Sequence, residues 1–365
     1  MDSSTPIRWG IMGTGRVAQQ FMADLSTVDG AIGAAVGSRT AERAQIVAKR
    51  FGIQRAHDSY EELVRDPEID VVYVATEHHQ HAEHCLLALH EGKHVLCEKP
   101  FATSVAAASS VIESAKQHNL FCMEAMWTRF IPAVVESKRR IDAGEIGIPM
   151  ILSADFGSPV VDSGSSRFFD PKRGGGALLD RGVYAISLAV WLFGKPEHVS
   201  GRGHLLESGV DQTTAAILGF HDNRIAVIAA SLGAYSSNEA VVAGSLGRLH
   251  LHEPLCRPER VSINRAHTME GDAQYDLLPK APKERVRRFL SRARAYLPVD
   301  SLRATVLRYP VKGYGYSYEA AEVVRCLREG LKESPIMPLR DTLTIAETVQ
   351  RIQDVIIADS RRPKS

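Results

Sequence analysis

Within the first 125 residues, short apolar runs alternate with longer segments of helical spacing, and this alternation restricts the possible folds more than any other feature of the chain. IRWGIM (7–12), AIGAAVG (31–37), DVVYVAT (70–76), HVLC (94–97) and LFCMEA (120–125) are short, apolar and often β-branched. AERAQIVAKRF, QHAEHCLLALHEG and SVAAASSVIESAKQH lie between them. Strands alternating with helices predict a doubly wound, mostly parallel sheet. Run length and flanking glycines favour strand over buried helix.

The first strand runs into Gly13-Thr14-Gly15-Arg16-Val17-Ala18, a G-x-G-x-x-A loop that opens the first helix. The first glycine permits a tight turn, the second lets the backbone approach a pyrophosphate, and the small third residue lets helix and strand pack closely. Phosphates would then sit on the helix N-terminus, where free amides and the helix dipole favour negative charge. A dinucleotide-binding Rossmann domain is the expectation. At the end of the second strand the chain reads Gly37-Ser38-Arg39-Thr40, with Arg43 one helical turn on. Sites that prefer NAD commonly carry an acidic residue there. A hydroxyl and two guanidiniums instead suit a 2′-phosphate, so NADP is expected over NAD.

After Met126 the rhythm changes. A helical segment (134–143) leads into MILSADF, a Gly/Ser-rich stretch, and GGGALLDRGVYAISLAVWLFG, whose second half reads as a buried helix. AAILGF, RIAVIAAS, EAVVAGS and LGRLHLH follow as strands, and YEAAEVVRCLREGL and TLTIAETVQRIQDVIIA close the chain as helices. Strands adjacent in sequence predict an antiparallel or mixed sheet. The expected architecture is α/β: a doubly wound parallel sheet over 1–126, then an α+β domain built on a large open mixed sheet over 127–365. One segment departs from this plan. PKERVRRFLSRARAYL (282–297) has helical spacing with arginines around an apolar face, and reads as a solvated basic insertion within about 277–310.

Composition narrows the function class. With 365 residues, 44% of them hydrophobic, and 44 basic against 43 acidic side chains, nothing calls for nucleic acid or a membrane as the main partner. The N-terminus lacks the basic and apolar regions of a signal peptide, and no apolar run reaches the roughly eighteen residues of a membrane span. A cytoplasmic chain is expected. The five cysteines form no C-x-x-C pair and read as reduced thiols.

Ligands of a doubly wound sheet bind outside the carboxyl ends of its strands. Thr76, His78 and His81 lie at one such end, in VATEHHQHAEH. The order of histidines and acids there matches neither zinc-protease pattern, so no metal is expected. These histidines are expected to line a cofactor and substrate cleft, others to cap the next helix. Lys99 lies at the end of the fifth strand, in KHVLCEKPF. A partly desolvated lysine beside a positive nicotinamide ring suits proton exchange with an alcohol. Glu98 is placed to orient the ammonium or to close the turn. In the second domain Asp180 and Tyr184 stand four residues apart, one helical turn on the same face. Tyrosine and lysine can pair as acid and base, the ammonium lowering the phenol pKa. Asp180 is placed either to bind a substrate hydroxyl or to hold Lys99.

IMGTGRVA, CEKPF, EAMWTRFIP, GGGALLDRGVY and GYSYEAAEVVRCLREGLKESPIMPL together resemble the Gfo/Idh/MocA oxidoreductase family, nearest its dimeric dihydrodiol dehydrogenase and D-xylose dehydrogenase branch. The resemblance implies an NADP-dependent dehydrogenase acting on a sugar, polyol or cyclic trans-diol, and a homodimer formed through the open sheet. It also implies Lys99 and Tyr184 as the catalytic pair, His78 and His81 in the cleft, Trp127, Arg129 and Phe156 near substrate, and Arg39 and Arg43 on the 2′-phosphate. The alternative is a family member reduced to a dinucleotide-binding regulator, against which the retention of Lys99 and Tyr184 argues. Glu77 and His79 depart from the proline-containing turn common in the family.

Overall fold

The computed structural model describes residues 5–161, 166–266 and 304–361. Its first half is carried by six strands, β1 (Ile7–Met12), β2 (Ala31–Gly37), β3 (Arg55–His57), β4 (Val71–Val74), β5 (His94–Glu98) and β6 (Cys122–Ala125), ordered β3-β2-β1-β4-β5-β6. Every neighbouring pair is parallel. Helices α1 (Arg16–Leu25), α2 (Ala41–Phe51), α3 (Tyr60–Arg65), α4 (His81–His90) and α5 (Val105–Gln117) form the crossovers. All four residues of β4 are buried, as a parallel sheet covered on both faces requires, which is why its sequence is a continuous apolar run rather than an alternation. Chain order reverses between β1 and β4, and the crevice at that switch point is where a doubly wound sheet binds its ligand.

The second sheet has eight strands: β7 (Pro149–Gly157), β8 (His198–Leu205), β9 (Asp211–Gly219), β10 (Ile225–Ser231), β11 (Ala240–Gly244), β12 (Gly247–Leu251), β13 (Arg260–Arg265) and β14 (Thr305–Arg308). Their order is β14-β13-β12-β11-β7-β10-β9-β8, with β7 and β10 parallel and the other neighbours antiparallel, a mixed sheet as expected. One face is covered by α6 (Pro132–Asp142) and α7 (Val183–Phe193). The other is open, and Ile151, Ile217, Ile225 and Val227 stand on it 41–50% exposed. The apolar stretch Pro171–Phe193 is long enough to cross a membrane, but most of it is buried as core of this domain.

The C-terminal helices tie the two sheets together. Asp24 of α1 accepts the backbone N–H groups of Tyr314, Gly315 and Tyr316 at 2.8–3.0 Å, immediately before α8 (Ser317–Arg328). The final helix α9 (Leu339–Ser360) packs against α5, α7 and β8. The basic segment 282–297 lies outside the described residues. The described end of the longer 277–310 insertion supplies edge strand β14.

Candidate active site

A groove starts at the glycine loop. Gly13 has φ +116°, and a Cβ there would stand 2.6 Å from the Ala75 carbonyl oxygen, so only glycine fits. Gly15 caps α1 with ordinary φ, and a Cβ there would meet no atom of the described residues within 4 Å, because the position opens onto the groove. The first turn of α1 carries neither an acidic residue nor a side-chain cap, which leaves its N–H groups available to an anion. The outer part of the groove, about 420 Å³, is lined by Gly13, Thr14, Gly15, Ser38, Arg39 and Arg43 among others. It continues past Ala75, Thr76 and Glu77 into an inner chamber of about 330 Å³ with Arg16, Val17, His78, His81, Glu98, Lys99, Arg167 and Phe168.

The histidines of this segment do not face one another as a set. His78 is buried, its Nδ1 is 3.1 Å from the Gly174 carbonyl, and its Nε2 faces an Arg167 N–H at 3.2 Å. Donation from Nδ1 leaves Nε2 as the acceptor. Burial, and then the charges of Arg167 and Lys99, push its pKa well below the ordinary histidine value. Fully buried His81 is held at about 4 by desolvation; its Nδ1 is 2.8 Å from the Pro100 carbonyl and its Nε2 is 3.2 Å from that of Thr76. A neutral ring donates once, and the shorter contact selects Nδ1. His84, also held at about 4 by burial, meets the Thr76 hydroxyl at 2.9 Å. His79 is exposed, 3.8 Å from Glu77. His81 and His84 therefore brace the chain at the ends of β4 and β5, while His78 reaches across to Gly174 and Arg167.

Lys99 leaves the end of β5 with its side chain 13% exposed. Its Nζ donates to the Asp180 carbonyl at 2.8 Å, lies 3.5 Å from Asp180 Oδ1, and sits 4.8 Å from the centre of the Tyr184 ring. A π-helical turn over Leu178–Gly182 precedes α7, so Asp180 and Tyr184 are not one regular α-turn apart. Such turns recur at functional sites because they redirect backbone groups, and here the Asp180 carbonyl turns to the ammonium. Burial alone would raise the Asp180 pKa; Lys99 and then Arg167, whose NH2 donates to Oδ1 at 3.1 Å, outweigh it and hold the carboxyl well below the usual range.

The structure assigns Glu98 a place beneath this arrangement. It is buried, accepts the Tyr73 hydroxyl at 2.5 Å and the Lys99 backbone N–H at 3.1 Å, and so anchors the lysine's main chain rather than its ammonium. Burial raises its pKa, opposed by Tyr73 and Lys99. Behind it, fully buried Glu319 of α8 has no hydrogen-bond partner on either oxygen among the described residues, and burial followed by the charges of Glu98 and Asp24 raises its pKa well above the usual carboxylate range.

Tyr184 is buried beside Phe156, with ring centres 5.4 Å apart. The group that meets its hydroxyl is Trp127, whose indole N–H donates at 3.1 Å; Lys99 lies over the ring face. The expectation that the ammonium lowers the phenol pKa is corrected accordingly. Burial pushes Tyr184 well above its ordinary value, the Trp127 hydrogen bond only partly opposing it. Trp127 in turn stacks on Tyr316, 4.9 Å between centres.

Arg129, expected near the substrate, is placed elsewhere. It is 1% exposed and donates to the Ser187 hydroxyl and carbonyl, the Ile336 carbonyl and Asp341 at 2.7–3.0 Å, bracing α7 against α9. Its five N–H groups demand such partners, and the core supplies them where the cleft does not. Removing one partner of a buried pair leaves the other unpaired, so Arg129→Met is expected to destabilise the fold by about 3 kcal/mol or more. Denaturant unfolding measures it; unchanged stability with a raised KM would return Arg129 to the substrate.

Two contacts escaped sequence reasoning because they arise in the irregular Gly/Ser-rich stretch. Arg167 bridges His78 and Asp180. Arg173 donates to both oxygens of Glu77, which lines the groove, at 2.7 and 2.8 Å. The only available signal was that Glu77 replaces a proline-containing turn with a charge.

Residues 7–126 match an oxidoreductase family with an NAD-binding Rossmann fold, and residues 134–250 match the GFO/IDH/MocA C-terminal domain. A trans-1,2-dihydrobenzene-1,2-diol dehydrogenase of Xenopus laevis is 36% identical over 344 residues, 93% of this chain and 94% of that one. The chain belongs to the Gfo/Idh/MocA oxidoreductase family. The human enzyme of the same name is 33% identical, covering 96% of this chain and 97% of its own. Two solved structures of lower identity share the fold: a 3-ketoreductase from Actinomadura kijaniata (TM-score 0.76, 23% identity, 96% and 98% coverage) and an aldose-aldose oxidoreductase from Caulobacter crescentus (0.80, 20%, 97% and 98%). As a member of this family the chain is an NAD(P)-dependent oxidoreductase acting on CH–OH groups.

Proposed function

We propose that this oxidoreductase uses NADP to move hydride between the nicotinamide and a secondary alcohol or hemiacetal carbon of a sugar, polyol or cyclic trans-diol. The observation that carries the reading is the meeting of Lys99, Asp180 and Tyr184 at the end of β5, with Lys99 lining the chamber continuous with the glycine loop. The groove fits the cofactor: a bare Gly15 and the uncapped α1 N-terminus for the pyrophosphate, and Ser38, Arg39 and Arg43 at its outer end for a 2′-phosphate. The relatives support the substrate class, being named for a cyclic diol, while one structural neighbour holds NADP and another glycerol.

When bound, the cofactor supplies or takes up the hydride. Tyr184, protonated at neutral pH, gives the proton to the nascent alkoxide in reduction and receives it in oxidation. Lys99 places positive charge beside that oxygen. Asp180, ionised, holds the ammonium and accepts a substrate hydroxyl on its remaining lone pairs. Arg167 keeps Asp180 charged and His78 in its Nδ1–H form. Trp127 and Phe156 wall the substrate. NADP-coupled absorbance change with a panel of polyols, pentoses and cyclic diols tests the reading, and no turnover of any of them would defeat it.

The Glu77–Arg173 pair ties the irregular stretch before α7 to a residue that lines the groove. Hydrogen bonding from Arg173 holds the Glu77 pKa below its ordinary value, so the pair persists at neutral pH and is lost only in acid. Partly exposed pairs contribute at most about 1 kcal/mol, so Glu77→Gln is expected to speed NADPH release by about five-fold or less. Stopped-flow fluorescence reads it, with recovery in the charge-swapped Glu77→Arg/Arg173→Glu chain.

We also propose a cytoplasmic homodimer. All five cysteines are free, consistent with a reducing compartment. On the open sheet face Ile225 lies beside Ile151 and Val227 beside Ile217, a contiguous exposed apolar patch suited to a second copy. Light scattering is expected to give twice the chain mass.

A further inference from the structure

The hairpin of β11 and β12 places a second polar cluster on the open face of the large sheet. Ala240 pairs with Leu251 and Val241 with His250. One residue beyond the first pair, Glu239 comes opposite His252. Alternation along the strands puts Glu239, Val241, His250 and His252 on one face.

His250 Nε2 is enclosed and 2.8 Å from Glu239 Oε2, yet lacks the alignment of a hydrogen bond. His252 Nδ1 lies 3.5 Å from Glu239 Oε1, and the two imidazoles face each other with centres 3.9 Å apart. One donor atom from each of the three residues lies within 4.8 Å of the others.

We propose that Glu239, His250 and His252 form a binding site for a divalent transition-metal ion, zinc in the first instance, separate from the dinucleotide groove. Two imidazoles and a carboxylate are the ligand types zinc selects, and bonds of about 2.0–2.1 Å at tetrahedral angles set donors about 3.3 Å apart. The observed distances, 2.8 Å to one Glu239 oxygen and 3.5 Å to the other, lie near that separation. The orientation of His252 is already set: its Nε2 is 2.6 Å from the Ser262 hydroxyl of β13, and donation there turns the Nδ1 lone pair toward Glu239. Metal-ligating histidines are held by outer hydrogen bonds of this kind. Arg260 is the competitor. Its NH2 reaches His252 Nδ1 at 3.0 Å, and a metal must displace it.

Zinc titration of the full-length, chelator-treated protein by calorimetry tests the site, with circular dichroism to confirm that each variant is folded. The expected result is one zinc per chain, weakened by about 100-fold or more in His250→Ala/His252→Ala and by about 10-fold in Ser262→Ala, where only the outer contact is lost. Arg260→Ala is expected to bind several-fold more tightly, an effect that a mere surface ion pair would not produce. Failure of the wild-type chain to take up zinc overturns the proposal. So does undiminished uptake by the double histidine variant, which would put the metal elsewhere on the molecule.

Discussion

Replacing Lys99 by Met is expected to lower kcat by about three orders of magnitude while leaving NADP binding within a few-fold of wild type. The substitution keeps the length of the side chain but removes the ammonium that contacts Asp180 and lies over the Tyr184 ring. Positioned acid–base groups are worth about 10²–10⁴ in rate. Tyr184→Phe removes the phenol oxygen and leaves the Trp127 indole N–H without its acceptor, so a loss of similar size is expected. The double variant should be little worse than either single one, since both serve one proton transfer. Single-turnover kinetics with NADPH separates this chemistry from product release, and unchanged rates in both variants would remove these residues from the mechanism. The pH profile adds a signed check. Because burial raises the Tyr184 pKa, the phenol stays protonated through neutrality. NADPH-driven reduction should then be flat through neutral pH and decline only in the alkaline range, above the ordinary phenol value of about 10.

Arg39→Ala is expected to weaken NADP by about ten-fold or more while changing NAD by less than about two-fold. A charge-assisted contact to phosphate contributes about 1.5–3 kcal/mol, and only NADP carries the phosphate. Arg39 and Arg43 line the outer groove, with Ser38 between β2 and α2. Arg39→Ala/Arg43→Ala should bring the two cofactors close to parity. Equal losses for both cofactors in fluorescence titrations would mean that the arginines serve the groove's general charge and not the 2′-phosphate.

The parts legible in the sequence share a physical basis. Gly13 and Gly15 stand where side chains are forbidden by contact with Ala75 or would fill the groove. The apolar runs of β1, β4 and β5 are continuous because a parallel sheet is covered on both faces. These constraints act on neighbouring residues, so they leave a local record. Strand β3 and helix α3, three and six residues long, were too short to leave one. Arg129 shows how a motif can mislead: EAMWTRF implied a substrate contact, but the guanidinium satisfies carbonyls and carboxylates far along the chain, at Ser187, Ile336 and Asp341. A motif records that an arginine is needed there, not which way it points.

By itself, then, the sequence determined that a doubly wound sheet would present a glycine loop and deliver Lys99 to the mouth of the crevice, since periodicity and glycine geometry are local properties. Which groups surround that lysine was decided by the tertiary structure. Asp180 and Tyr184 reach it from the second domain, Trp127 meets the Tyr184 hydroxyl, Arg167 holds Asp180 from an irregular stretch, and Glu98 turned out to sit below it as an anchor bonded to Tyr73. Hydrogen bonds and desolvation depend on distance in space, and residues some eighty positions apart, such as Lys99 and Asp180, carry no spacing that announces their meeting.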